Sequence, residues 1–379
     1  MYNSLNYIRG LAALFVVIYH YFIFFFIYQW FSAMLSLFEP LAFDNPLIET
    51  VKHFPFDLGQ FSVGLFFLLS GFLAPSLVNR YQTRGAFLKN RFFRLWPIYT
   101  IGLLINILFI YGGTLYTDAI FPYSSEHIMA SFLSLRDVFG YSFITGIVWT
   151  FEIEVKFVLF CLCVYPFIKN NKITTVLALQ TALYIVLESA YFYCLQSPDF
   201  DAVDLSSLKA MTYSVKHFSI ILIGMYIYMY MSKTISLSKT LALTLVSLVL
   251  FNIKDMVTEF SNHDVQQFIS YVGSFLLFSF MCYMENKKGF SFPFQKNITN
   301  GLNYISKISY PLYLIHALPG YVVMYICYYQ GYSLLLGMAI GLISSFVGAH
   351  YLTKFIETPI RLFGNSMSKR ENNLQFVNP

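Results

Sequence analysis

Apolar runs of roughly twenty residues recur from one end of this chain to the other. A backbone immersed in lipid can satisfy its own hydrogen bonds only as a helix or a closed barrel, and runs of this length match helices. The windows fall near 5–28, 58–79, 92–112, 147–168, 173–195, 213–231, 239–253, 267–284, 308–329 and 332–356. The seventh is short and ends at Asn252 and Lys254. Only 11% of positions are charged, against 57% hydrophobic, whereas a soluble domain carries about 25% charged residues. A mean hydropathy of +0.61 over 379 residues requires many spans rather than one anchor. The prediction is an all-α integral membrane protein, a bundle of about ten transmembrane helices. The longest connections, 29–57, 113–146 and 285–307, are too short for a separate soluble domain. The first run is too long for the apolar core of a cleaved signal peptide, and no small-residue cleavage site follows it.

Lys and Arg set the orientation, because positive charge is retained on the cytoplasmic side. With the N-terminus inside, eighteen of the 24 basic residues fall at the cytoplasmic face, five outside (Arg136 among them), and Lys156 within a span. Both termini are therefore expected in the cytoplasm of a multi-pass protein of the cell membrane. The net charge of +5 follows from that topology and does not point to nucleic acid. Cys161, Cys163, Cys194, Cys282 and Cys327 all lie in apolar stretches, which implies neither a disulfide framework nor a metal site.

Polar residues inside such spans are costly and mark function. The first span, LNYIRGLAALFVVIYHYFIFFFIY, carries Arg9 and His20. Eleven residues apart, they share one helix face at a separation of about 16 Å. In the second span Ser70-Gly71 interrupts an apolar run, a pattern that suits close helix packing. The stretch KNRFFRLWPIY sets Arg91 and Arg94 three residues apart on a helix start. Such a pair anchors a membrane boundary, and it can equally donate paired hydrogen bonds to phosphates. The fourth span, VWTFEIEVKFVLF, carries Trp149, Glu152, Glu154 and Lys156. Glu152 and Lys156 stand four apart in the order that favours an ion pair, with Glu154 on another face. The ninth span opens ISYPLYLIHAL, with Tyr313 and His316 on one face, and the tenth closes FIETPIRLFG. His217 and His263 read as solvated surface residues, and His53 and His127 as loop residues without partners.

Together these stretches resemble, in order and over 6–364, the signatures of the membrane-bound acyltransferase family 3. They are Arg-x10-His, a Phe-rich run ending Ser-Gly-Phe, Arg-x-x-Arg before Pro and Tyr, Trp-Thr-x-x-x-Glu, Ser-Tyr-x-x-Tyr-Leu-x-His and Glu-x-Pro. Glu152 and Lys156 depart from the small and amide-bearing residues usual there. The resemblance implies a single transmembrane acyltransferase domain over 1–364, with 365–379 a short cytoplasmic polar tail. It implies transfer of an acyl group, in the first instance acetyl, from cytoplasmic acyl-CoA (acetyl-CoA) to a hydroxyl of a surface polysaccharide, lipopolysaccharide or related glycan. No permanently bound cofactor or metal is implied, and membrane lipid is the third partner. By resemblance, His20 is the general base and Glu154 orients it. Arg9, Arg91 and Arg94 hold the phosphates of acyl-CoA, with Trp149, Tyr313, His316 and Ser70 in support.

Intramembrane His and carboxylates also suit a proton-coupled transporter. Such folds carry internal repeats, and here the Arg-x10-His and Trp-x4-Glu stretches each occur once.

Overall fold

The computed structural model describes residues 3–27, 37–38, 54–81, 83–197, 199–200, 202–253, 262–286 and 295–374. Within them the chain is helical and contains no strand. The first span is α1 (Asn3–Tyr19), a π-helical turn (His20–Phe24) and α2 (Phe25–Ile27). The chain continues through α3 (Leu58–Arg80), α4 (Arg84–Thr117), α5 (Ser125–Phe132), α6 (Val148–Cys163) and α7 (Tyr165–Lys169). Then come α8 (Ile173–Gln196), α9 (Ala202–Met231), α10 (Leu237–Asn252), α11 (Asn262–Asn286), α12 (Gln295–Ile315) and α13 (Leu318–Tyr329). The last elements are α14 (Leu334–Leu352), a second π-helical turn (Thr353–Glu357) and α15 (Thr358–Leu374).

Among the described residues, seven helices are long and apolar enough to cross a membrane, or eight if α12 and α13, bent by 64° at their junction, form one broken span. The count is thus below the ten expected from sequence. The difference lies in α6 and α10, each of 16 residues. At 1.5 Å per residue each is about 24 Å long, short of a hydrocarbon core of about 30 Å. Most of the proposed outer loop 29–57, with His53, and the last residues of the tail lie outside the described residues, as does the side chain of His263. The tail's beginning is helical, as part of α15.

Helix starts are fixed by side chains that accept the otherwise unpaired first-turn amides. Gln60 N donates to Asp57 Oδ1 (2.8 Å) at the head of α3, and Ala86 N to Thr83 Oγ1 (2.9 Å) at the head of α4. The bundle is built round α3 and α9, each with 78% of its apolar window buried, against 28% for the last span. These two helices touch backbone to backbone. A Cβ on Gly71 would run into the Ile221 carbonyl, and one on Gly224 into the Leu68 carbonyl. That close approach is the use expected of a small residue after Ser70.

The charges of α6 are paired differently from the sequence reading. Glu152 and Lys156 do not pair with each other. Arg136 Nε donates to Glu152 Oε1 (2.8 Å) and its Nη2 to Oε2 (2.6 Å), while Nη1 donates to the Tyr141 carbonyl (2.6 Å). The guanidinium also stands 3.8 Å over the Phe143 ring. Lys156 pairs with Asp137 and donates to Ser214 Oγ (3.2 Å). The physical reason is a segment between α5 and α6 that sets adjacent, opposite charges, Arg136 and Asp137, against α6 one helical turn apart. Arg136, placed at the outer face from sequence, is 6% exposed. Each of the charged groups Glu152, Glu154 and Lys156 meets a partner from outside its own helix.

Removing one member of such a buried pair leaves the other unpaired, at a cost of about 3–5 kcal/mol. Arg136→Ala should lower the unfolding midpoint in detergent by an amount of that order. Arg136→Met combined with Glu152→Met should recover most of it. An Arg136→Ala protein as stable as wild type would show that this pair holds nothing in place.

Candidate active site

Two cavities, each of about 290 Å³, lie end to end in the bundle. They are strung along one face of the first span. Asn6 and Arg9 line the first, and Val16 and His20 the second. The shared face expected of Arg9 and His20 is thus the wall of both. Val63 from α3 and Tyr313 from α12 line both cavities and mark their junction.

The first cavity gathers Arg9, Arg91, Arg94, Lys307 and Arg361 against two carboxylates, Glu154 and Glu357. The three arginines expected to act together do come together, although they arise from α1 and α4. Arg91 is 3% exposed. Its Nη1 lies 3.7 Å from Glu154 Oε1, and its Nε has no hydrogen-bond partner. Glu357 Oε2 is likewise unsatisfied. A buried guanidinium with an idle donor, amid an excess of cations, is an anion site in its electrostatics. Ser70 and Thr150 line the same space, toward the junction residue Tyr313. Thr150 Oγ1 and Tyr313 Oη are 2.8 Å apart.

The second cavity holds His20 with Tyr19, Asp57, Gln60, Thr145, Trp149 and Tyr321. His20 opens the π-helical turn, an irregularity that recurs at functional positions. Its ring state follows from its neighbours. His316 Nδ1 lies 3.0 Å from the Leu312 carbonyl and 2.9 Å from that of Tyr313. Carbonyls only accept, so this nitrogen carries hydrogen and His316 Nε2 is left as an acceptor. That Nε2 is 3.0 Å from His20 Nδ1, which is also 2.8 Å from the Val16 carbonyl. Hence His20 Nδ1 carries hydrogen, shared between both acceptors, and its Nε2 keeps a free lone pair. A histidine fixed in that tautomer has the free lone pair that accepting a proton requires.

Glu154 is not part of this arrangement. It lines the other cavity beside Arg91, and among the described residues no hydrogen bond or ion pair joins it to His20. The residue that orients His20 is His316, brought in by α12. Asp57 is a carboxylate of the His20 cavity that sequence reasoning passed over: its Oδ2 accepts from the Tyr19 hydroxyl at 3.0 Å. The available signal was an Asp three residues before a Gln ahead of an apolar run, the mark of a helix start. Lys307 and Arg361 were passed over as membrane-boundary cations.

Two histidines differ from expectation. His217, taken for a solvated surface residue, is fully buried among Phe67, Trp149 and Tyr213, with Nδ1 2.8 Å from the Tyr213 carbonyl. The reason is that α9 starts at Ala202 rather than near 213, which draws residue 217 inside the bundle. His127, taken for a loop residue without partners, lies 2.8 Å from the Ser142 carbonyl and stacks on Tyr141. Burial pushes its pKa below the ordinary histidine range.

The sequence model of one family, described as an acyltransferase domain, matches residues 2–354. The chain belongs to acyltransferase family 3. No curated protein and no solved structure matches it. With its apolar helices, the family makes this chain a multi-pass membrane acyltransferase. All nine residues singled out for the acyltransferase site line one cavity or the other, apart from His316, which acts on the second cavity through His20.

His316→Phe preserves an aromatic ring but removes the acceptor for His20 Nδ1–H. It should lower the rate of acyl transfer roughly 10²-fold, less than loss of His20 itself, without weakening donor binding. Equal loss of rate and donor affinity would show that His316 merely supports the helices.

Proposed function

We propose that this protein transfers an acyl group, most simply acetyl, from acyl-CoA to a hydroxyl of a surface polysaccharide, lipopolysaccharide or related glycan. The observation that carries the reading is the pair of cavities meeting at Tyr313, one cationic and one built round a histidine in base form. The phosphates of acyl-CoA are bound by Arg9, Arg91 and Arg94, with Lys307 and Arg361 adding charge. Glu154 and Glu357 hold those side chains apart and in place. The thioester arm runs along the face between Arg9 and His20, a rise of about 16 Å that suits its length. With both termini cytoplasmic, as the distribution of Lys and Arg supports, the donor enters from the cytoplasm and the glycan from the other side.

In the second cavity the glycan hydroxyl lies against His20 Nε2, which takes its proton as the oxygen attacks the thioester carbon. Carbon–oxygen bond formation and carbon–sulfur cleavage then release the CoA thiol. Tyr19, Trp149 and Tyr321 offer aromatic faces, and Asp57 and Gln60 polar ones, a composition that accommodates the two faces of a sugar. The resting tautomer leaves His20 Nε2 a lone pair to accept the acceptor's proton.

Purified protein in lipid vesicles, labelled acetyl-CoA and isolated surface glycans test the reading, with alkali-labile label on the glycan as the positive result. His20→Ala and His20→Gln should abolish transfer while retaining acyl-CoA binding. Arg91→Ala or Arg94→Ala should weaken acyl-CoA binding about ten- to hundredfold, the worth of a hydrogen bond to a charged group. Lys at either position should restore only part, because paired donation is lost. Wild-type protein that neither binds acyl-CoA nor labels a glycan would sink the assignment.

A further inference from the structure

We propose that Tyr313 supplies the hydrogen bond that stabilises the oxyanion formed on the thioester during transfer. The inference rests on the reading of the two cavities as donor and acceptor sites. Two substrates that arrive from opposite ends can react only where the cavities meet. The residues common to both are Val63 and Tyr313, and of these only Tyr313 has a side-chain hydrogen-bond donor.

The hydrogen bonds around Tyr313 determine where its proton rests. Thr150 Oγ1 donates its single hydrogen to the Ile147 carbonyl at 3.0 Å. The 2.8 Å contact between Thr150 Oγ1 and Tyr313 Oη is therefore donated by the tyrosine. The ring is held by Phe66, with centroids 5.7 Å apart, and lies 6.0 Å from the His316 ring. His316 in turn touches His20. The hydroxyl at the junction, in the last turn of α12, and the residue that sets the tautomer of the base, directly after its end, thus lie three residues apart.

A neutral hydroxyl such as that of Thr150 is a modest acceptor. A carbonyl oxygen that gains negative charge is a far stronger one, since charge-assisted hydrogen bonds are roughly twice as strong as neutral ones. The phenol hydrogen is therefore held by Thr150 in the ground state and given to the substrate as charge develops. Such an interaction lowers the barrier because it is made in the transition state and not before.

The step balances without any further reactant. The acceptor's hydroxyl proton goes to His20 Nε2, and its oxygen forms the new bond to the thioester carbon. The carbonyl π pair moves onto oxygen, where the Tyr313 hydroxyl donates to it. On collapse that pair returns, the carbon–sulfur bond breaks, and the thiolate takes the proton from His20. The Tyr313 proton is never transferred and goes back to Thr150.

The full-length protein in lipid tests this through single-turnover transfer and acyl-CoA binding measured side by side. Tyr313→Phe should slow transfer about 10²–10³-fold, the usual cost of losing one oxyanion donor, with acyl-CoA affinity unchanged within about twofold. Thr150→Val leaves the phenol in place and should keep the rate within about tenfold of wild type. Should Tyr313→Phe fail to fold, fluorinated tyrosines at position 313 carry the test, because the rate should then vary with phenol acidity. A Tyr313→Phe rate close to wild type, equal losses in Tyr313→Phe and Thr150→Val, or a rate indifferent to fluorination would each overturn the role. Wild-type protein that transfers nothing from acyl-CoA would instead remove the reading beneath it.

Discussion

A charged or hydrogen-bonding group drawn inside a bundle of apolar helices must meet a partner there, because neither lipid nor packed side chains can replace water. Much of this structure follows from how that demand is met. Around α6 the charges themselves are paired. Arg136 and Asp137 arrive from a connecting segment and neutralise Glu152 and Lys156 in two separate pairs. In the cationic cavity the demand is met incompletely. Five cations face two carboxylates, and a buried guanidinium nitrogen and a carboxylate oxygen are left with nothing to bond. Balanced pairs and an excess of cations stand side by side on the same helix, since Glu154 serves the cavity while Glu152 and Lys156 serve the pairs. The excess is where a ligand's charge has work left to do.

Legibility of the sequence followed the range of the interaction. Helical periodicity is local, so the alignment of Arg9 with His20 along one face, and of Glu154 away from Glu152 and Lys156, could be read from spacing alone. The same spacing suggested an ion pair between Glu152 and Lys156, and there the local argument failed. Nothing in a four-residue interval reveals that a segment 16 to 19 positions earlier brings a better partner to each. The partner of His20 is a case of the same kind. Glu154 was a reasonable candidate on charge, but partnership depends on which helix packs against α1, and α12 places His316 there instead. His217 shows the effect of a misplaced helix boundary: a start taken eleven residues late turns a buried ring into a surface one.

Family membership and geometry answer different questions about this acyltransferase. Membership follows from the pattern of the chain over 2–354 and fixes the class of reaction. It does not say why the arginines and the histidine have to be so far apart. The geometry supplies a reason. On the proposed reading, a phosphate-rich donor needs concentrated positive charge, whereas a histidine that is to act as a base must keep its lone pair free. Cations beside it would favour neither protonation nor the approach of a proton. Placing Arg9 and His20 about three helical turns apart along the first span separates the two environments. The two cavities then share only Val63 and Tyr313 in their linings.

That separation also accounts for the use of two histidines. In an aqueous site a carboxylate commonly orients the imidazole and offsets the charge it acquires. Here the second cavity lies among aromatic side chains, where another ionised partner would itself require compensation. A neutral imidazole, His316, fixes the tautomer of His20 through a single hydrogen bond and adds no net charge to the bundle. Its own hydrogen is spent on two carbonyls of α12, those of Leu312 and Tyr313. A neutral residue thus does the orienting that a carboxylate does in an aqueous site, and the concentration of positive charge stays in the other cavity.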